Sequence, residues 1–115
     1  MRVARLETTG GSVVCGRCSI ADRPWTRLRG LLGRAPLAPD EGLLMPAGAV
    51  HMFFMRFAVD AVFCDRELAV LRVVPGLQPW RLASQRGAKV VVELAEGAAA
   101  GLRPGDRLRL ATIEA

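Results

Sequence analysis

Apolar and polar residues alternate along most of the chain in short runs, separated by glycine, proline and small polar residues. Arg2 to Thr8 alternates as a strand does, and Thr9-Gly10-Gly11-Ser12 carries a hairpin signal into a return strand from Val13 to Ile20. Trp25, Leu28, Leu31 and Leu32 recur at helical spacing. Asp22 stands where a cap belongs, Pro24 in the first turn and Gly33 at the end, so a short amphipathic helix is expected over Trp25 to Leu32. Pro36 and Pro39 mark a loop, and Gly42 to Met45 reads as a short strand ended by Pro46.

The central stretch, Val50 to Asp65, holds all four phenylalanines and the single histidine. Read with period two, one face carries Phe53, Met55, Phe57, Val59, Ala61 and Phe63, all apolar. The other carries Met52, Phe54, Arg56, Ala58, Asp60, Val62 and Cys64. Aromatic and β-branched residues favour strands over helices, so extended structure is expected, broken near Ala58. Phe53, Phe57 and Phe63 are expected in the core. Asp65 to Glu67 reads as a turn, Leu68 to Val74 as the partner strand, and Pro75, Gly76 and Pro79 as a loop. A short strand over Trp80 to Ala83, a β-branched strand over Ala88 to Leu94, one or two helical turns over Glu96 to Leu102 and a last strand through Leu108, Leu110 and Thr112 complete the pattern. Strands joined by hairpins, with few and short helices, predict a mainly β fold: an antiparallel sandwich or partly closed, jelly-roll-like barrel.

The chain of 115 residues has room for one domain with one core, and an apolar fraction of 51% excludes intrinsic disorder. No stretch is long and apolar enough to span a bilayer as a helix, and Met1 leads directly into Arg2 to Leu6, so a cytoplasmic location is expected without membrane association. An odd count of three cysteines gives no closed disulfide framework, in keeping with a reducing compartment. The net charge is +5 and the pI about 10.4. Its cations are almost all arginine and dispersed along the chain, and with six aromatics and no tyrosine a stacking platform for single strands is poorly supplied. Nucleic acid is therefore not an expected partner, and the basic residues read as a solvated surface.

Cys15 and Cys18 have the C-x-x-C spacing, and with Cys64 and His51 they make three sulfurs and one nitrogen. Residues three apart on a regular strand point to opposite faces, however, which argues against a metal site; no metal or cofactor is expected. His51 could act as a general acid or base, but no nucleophile is set beside it by spacing. Trp25 and Trp80 suit the ends of a small barrel, or the lining of a ligand groove. Arg56, Asp60 and Glu93 each stand within an apolar run, where a charge is costly unless paired. Arg56 and Asp60, four apart on a strand, lie roughly 13 Å from each other. Glu93 is the expected partner of Arg56.

Several blocks in order are similar to a known family: Trp25 to Arg34, Gly42 to Leu44, His51 to Phe57, Val59 to Phe63 with Asp65, Val92 to Gly97, and Gly101 to Leu108. The chain resembles domain of unknown function family 192 from about Ile20 to Leu110. That resemblance implies a mainly β domain related to jelly-roll or barrel shapes, and no activity, cofactor or catalytic residue. Two positions depart from the family pattern: Ala58 stands where a proline is usual, and Ala47 where a cysteine is common. The leading expectation is a non-catalytic binding or accessory module with a small pocket lined by His51, Phe54, Arg56, Asp60 and Trp25. It would take a small anionic ligand or a protein partner. A small enzyme using His51 and Arg56, and a basic barrel binding nucleic acid, are the alternatives.

Overall fold

The computed structural model describes residues 2–21, 36–53 and 55–112, and the helix expected over Trp25 to Leu32 lies outside them. Their strands are β1 (Arg2–Thr8), β2 (Val13–Ile20), β3 (Glu41–Met45), β4 (Ala49–His51), β5 (Val59–Cys64), β6 (Val70–Leu77), β7 (Leu82–Ser84), β8 (Val90–Ala95) and β9 (Leu108–Thr112). Seven of them form one sheet in the order β6-β5-β8-β3-β2-β1-β9, while β4 and β7 pair as a separate two-stranded ribbon.

The sheet is strongly curled into a half-barrel. Its two edge strands approach each other at one end, where Ala69 bridges Arg107. Around that bridge the Val70 N–H donates to the Asp106 carbonyl at 2.7 Å and the Leu108 N–H to the Leu68 carbonyl at 2.9 Å. Every strand pair is antiparallel except β2 with β3, which run parallel from Arg17↔Glu41 to Ile20↔Leu44. A parallel pair cannot be joined by a tight turn, and the stretch between Ile20 and Glu41 supplies the crossover.

Both faces of the central strands are buried, which explains why Val59 to Cys64 is apolar at every position but Asp60. Val59, Ala61 and Phe63 join Leu43, Met45 and Val91 in one core cluster. Val62 and Cys64 join Leu6, Leu44, Val92, Leu94 and Leu108 in another, fed by all seven strands of the curled sheet. The ribbon, through Val50, and the loop after it, through Met52, Met55 and Phe57, cover the first cluster.

The structure departs from expectation where the backbone is irregular. The central stretch lies outside any strand at 52, 53 and 55–58, and Phe53 turns outward at 38% exposure, while Phe57 and Phe63 are buried. Pro75 and Gly76 lie inside β6, not in a loop. Val59 pairs with Leu77 and Ala61 with Val74, which leaves an extra residue on β6 and makes a bulge. Gly76 takes a φ of +59° there, and the missing N–H of Pro75 is tolerated because β6 is an edge strand. Glu96 to Leu102 is a chain of tight turns, not a helix: Ala98, Ala100 and Leu102 each donate to the carbonyl three residues back. Gly97 has φ +92°, and the Gly97 and Ala99 N–H groups are claimed by the Asp60 carboxylate.

On the outer side of β1, Glu7 is held by Arg109 Nε at 2.7 Å and Arg5 Nε at 3.3 Å. The hydrogen bond from Arg109 is the main cause that lowers its pKa below the ordinary 4.5. A lowered carboxylate pKa stabilises the fold above that ordinary value, and the contribution is lost as pH falls through the folded pKa. The denaturation midpoint should therefore fall on acidification below about pH 4.5. A Glu7→Gln chain should lose less over the same range, and equal acid sensitivity of the two would show that another group sets it.

Candidate functional site

His51 closes β4 on an outward-facing row of side chains. The ribbon pairs Ala49 with Ser84, Val50 with Ala83 and His51 with Leu82. Opposed residues on antiparallel strands share a face, and the faces alternate along each strand. Val50 and Ala83 therefore point inward, to the core they pack with, while Ala49, His51, Leu82 and Ser84 point outward. The pairing carries on past the strands: the Met52 N–H donates to the Arg81 carbonyl at 2.8 Å and the Trp80 N–H to the Met52 carbonyl at 2.7 Å. That register sets Phe53 and Trp80 beside each other on the same outer face.

The result is a row of three rings at the surface. His51 and Phe53 have centroids 5.0 Å apart at 32°, and Phe53 and Trp80 6.0 Å apart at 31°. Trp80 is 59% exposed and Leu82 68%, so Trp80 does not plug a barrel end. Trp80 takes φ +68°, an uncommon conformation for a bulky residue, and it turns the chain into β7. An open groove of about 570 Å³ runs beside the row, lined by Ala49, Val50, His51, Leu82 and Ala83, with Arg72 and Ser84 at its polar end. The Arg72 guanidinium is steadied there by a 2.8 Å bond from Nη1 to the Ser84 carbonyl.

The two segments that carry this face are one-sided in charge. Residues 42–59 and 68–92 contain no Asp or Glu. They carry Arg56, Arg72, Arg81, Arg86 and Lys89, all five exposed. The remaining eleven of the 16 cations match the eleven acids in number, so the whole excess of +5 belongs to these two segments.

The other expected site residues are placed differently. Trp25 and Phe54 lie outside the described residues. Arg56 is exposed in the loop after the ribbon, and Glu93 is wholly buried in the central strand β8, so the expected Arg56–Glu93 pair does not form. The reason is the same departure from strand structure at 55–58, which removes Arg56 from the sheet. Glu93 faces the side of the sheet that carries Ala61 and Leu43, its register partners. Asp60 points to the opposite side, wholly buried, and accepts three backbone bonds: Gly76 N–H to Oδ1 at 2.8 Å, and Gly97 and Ala99 N–H to Oδ2 at 3.0 and 2.9 Å. It ties the β6 bulge and the 96–102 turns to β5, away from the His51 face.

The three thiols are buried in the inner cluster, on the far side of the sheet from the ribbon and His51. Among the described residues no group of three or more His, Cys, Asp or Glu is placed to hold a metal ion. The expectation that Cys15 and Cys18 face opposite ways is corrected by a bulge. Ala4 pairs with Cys18 and Leu6 with Cys15, so β2 spends three residues against two and both thiols turn inward together. A hydrogen bond between them lowers the pKa of Cys15 and raises that of Cys18, with burial raising both. Cys15 Sγ also donates to the Asp40 carbonyl at 3.3 Å. Burial pushes the Cys64 thiol up to about 12, helped by Asp65.

Comparison with known proteins agrees with this fold. A UPF0127 protein of Thermococcus sibiricus (strain DSM 12597 / MM 739) is 31% identical over 102 residues, which are 80% of this chain and 63% of that protein, so the chain spans under two thirds of its length. A crystal structure from Sinorhizobium meliloti 1021, described as a "putative transcription regulator", is similar with a TM-score of 0.79 and 26% identity, covering 94% of this chain and 92% of that one. A protein of unknown function from Novosphingobium aromaticivorans DSM 12444 shares the fold with a TM-score of 0.77 at 22% identity, covering 93% and 83%. The chain belongs to domain of unknown function family 192, whose model, described as "Uncharacterized ACR, COG1430", matches residues 5–110.

Proposed function

We propose that this chain is a non-catalytic binding module whose ligand lies on the outer face of the β4–β7 ribbon, against His51, Phe53 and Trp80, with Arg56 as an anion anchor. The observation that carries the reading is the exposed row of rings in a region whose charges are all positive. Large exposed apolar side chains set together are uncommon on a small soluble domain and mark interaction surfaces. A planar or apolar body fits the rings, and an anionic group fits the arginines, which grip carboxylates and phosphates through two donors. His51 serves as one ring of the platform: no hydrogen bond joins it to another side chain among the described residues, so it lacks the orienting partner that acid–base work requires.

Titration with small aromatic carboxylates and phosphate esters should change the emission of Trp80, measured in a Trp25→Phe chain. Arg56→Met should weaken that binding at least several-fold. It should lower the unfolding free energy by less than about 1 kcal/mol, as befits an exposed charge. Failure of every such compound to perturb Trp80 would refute the site, and a stability loss well above that figure would show Arg56 to be structural.

A further inference from the structure

We infer that the ribbon face binds single-stranded nucleic acid, its rings stacking on bases and its cations following the phosphates. The inference rests on the binding reading above and names the ligand class. Two independent features converge. The first is the row His51, Phe53 and Trp80, exposed on one face of a small sheet. Every base has a flat π-face, so such a platform accepts bases without reading their edges. The second is charge. Arg72 lines the groove, Arg81 stands between Trp80 and Leu82, Arg86 and Lys89 follow the end of β7, and Arg56 follows Phe53 by three residues. No acid interrupts either segment, and together they account for the full net charge.

A polyanion that offered charge alone would leave the rings idle, and a lone aromatic anion would use one cation of five. A single strand uses both features, presenting flat bases and phosphates in alternation. A duplex hides its base faces, which leaves nothing for the rings to stack on. Spread along the sequence, the cations and aromatics look dispersed; the pairing of β4 with β7 brings His51, Phe53, Trp80 and Leu82 onto one surface.

The test uses the full chain and fluorescein-labelled ten-nucleotide strands of oligothymidylate and oligouridylate, read by anisotropy. A duplex of the same length and inorganic polyphosphate serve as comparisons. Single strands should bind more tightly than the duplex. Affinity should fall with salt, by up to about 100-fold between 50 and 200 mM if five phosphates are engaged. Trp80→Ala should weaken single-strand binding about tenfold, the order of one lost base stack, and Trp80→Phe should restore most of it. Polyphosphate binding should be indifferent to both changes. Equal affinity for polyphosphate and single strands, insensitive to Trp80→Ala, would overturn the inference in favour of charge alone, as would tighter binding of the duplex or no binding at 50 mM salt. If the strands fail while small aromatic anions still perturb Trp80, the nucleic-acid inference falls and the binding module stands. If both fail, the face is not a site. Urea midpoints of the variants confirm that each is folded before it is scored.

Discussion

Asp60→Ala is expected to cost about 3–5 kcal/mol of folding stability, a large share of the total for a domain this size. The carboxylate is wholly buried and accepts from Gly76, Gly97 and Ala99 at 2.8, 3.0 and 2.9 Å. Removing it strands all three donors at about 1–3 kcal/mol each when they are dry. The Ala99 N–H is buried and bears that cost in full, whereas water can reach part of the way to Gly76 and Gly97. Asp60→Asn should be almost as harmful, because an amide that keeps one acceptor must turn its NH₂ towards donors. Urea unfolding measures the loss. Hydrogen exchange should also show the Gly97 and Ala99 amides released in either variant. A loss under about 1 kcal/mol would mean that the turns after β8 hold themselves.

Phe63→Ala should cost about 3–5 kcal/mol, and Phe53→Ala well under 1. Phe63 has no exposed surface and joins the cluster between the curled sheet and the ribbon. Phe53 is 38% exposed and stacks beside the rings of His51 and Trp80. The contrast tests the point at which the central stretch leaves the extended state. If both substitutions cost the same, Phe53 belongs to the core and the ring row is not a surface feature.

Strand positions were legible because alternation and turn residues report local geometry. Arg2 to Thr8, the turn after it and Val13 to Ile20 needed only period two and a glycine pair. What stayed hidden depends on partners. The bulge that turns Cys15 and Cys18 the same way arises from the register between β1 and β2, and a C-x-x-C spacing carries no mark of it. Pro75 and Gly76 look like a loop in any local reading. They stay in the strand because Asp60, sixteen residues earlier, accepts the glycine's N–H. Phe53 and Arg56 read as parts of one continuous strand because nothing in an apolar run shows where pairing stops. His51 could be picked out as the only histidine, but its neighbours Phe53 and Trp80 meet through a ribbon whose strands lie some thirty residues apart. The charge asymmetry was open to inspection throughout: two acid-free segments are visible without coordinates, though only the fold shows that they meet.

The pairing of β1 with β9, from Ala4↔Thr112 to Thr8↔Leu108, sets the order in which the molecule can be completed during synthesis. β1 is made before β9 and must wait for it before its outer edge is covered, and the corner bridge from Ala69 to Arg107 waits with it. Until then the nascent chain presents an open sheet edge, the kind of surface that joins to other chains. Its first strand carries Arg2 and Arg5, both exposed, and like charges of that kind discourage two unfinished copies from pairing edge to edge. Only when β9 has been made and has paired does the curled sheet gain its seventh strand and lose its exposed edge beside β1.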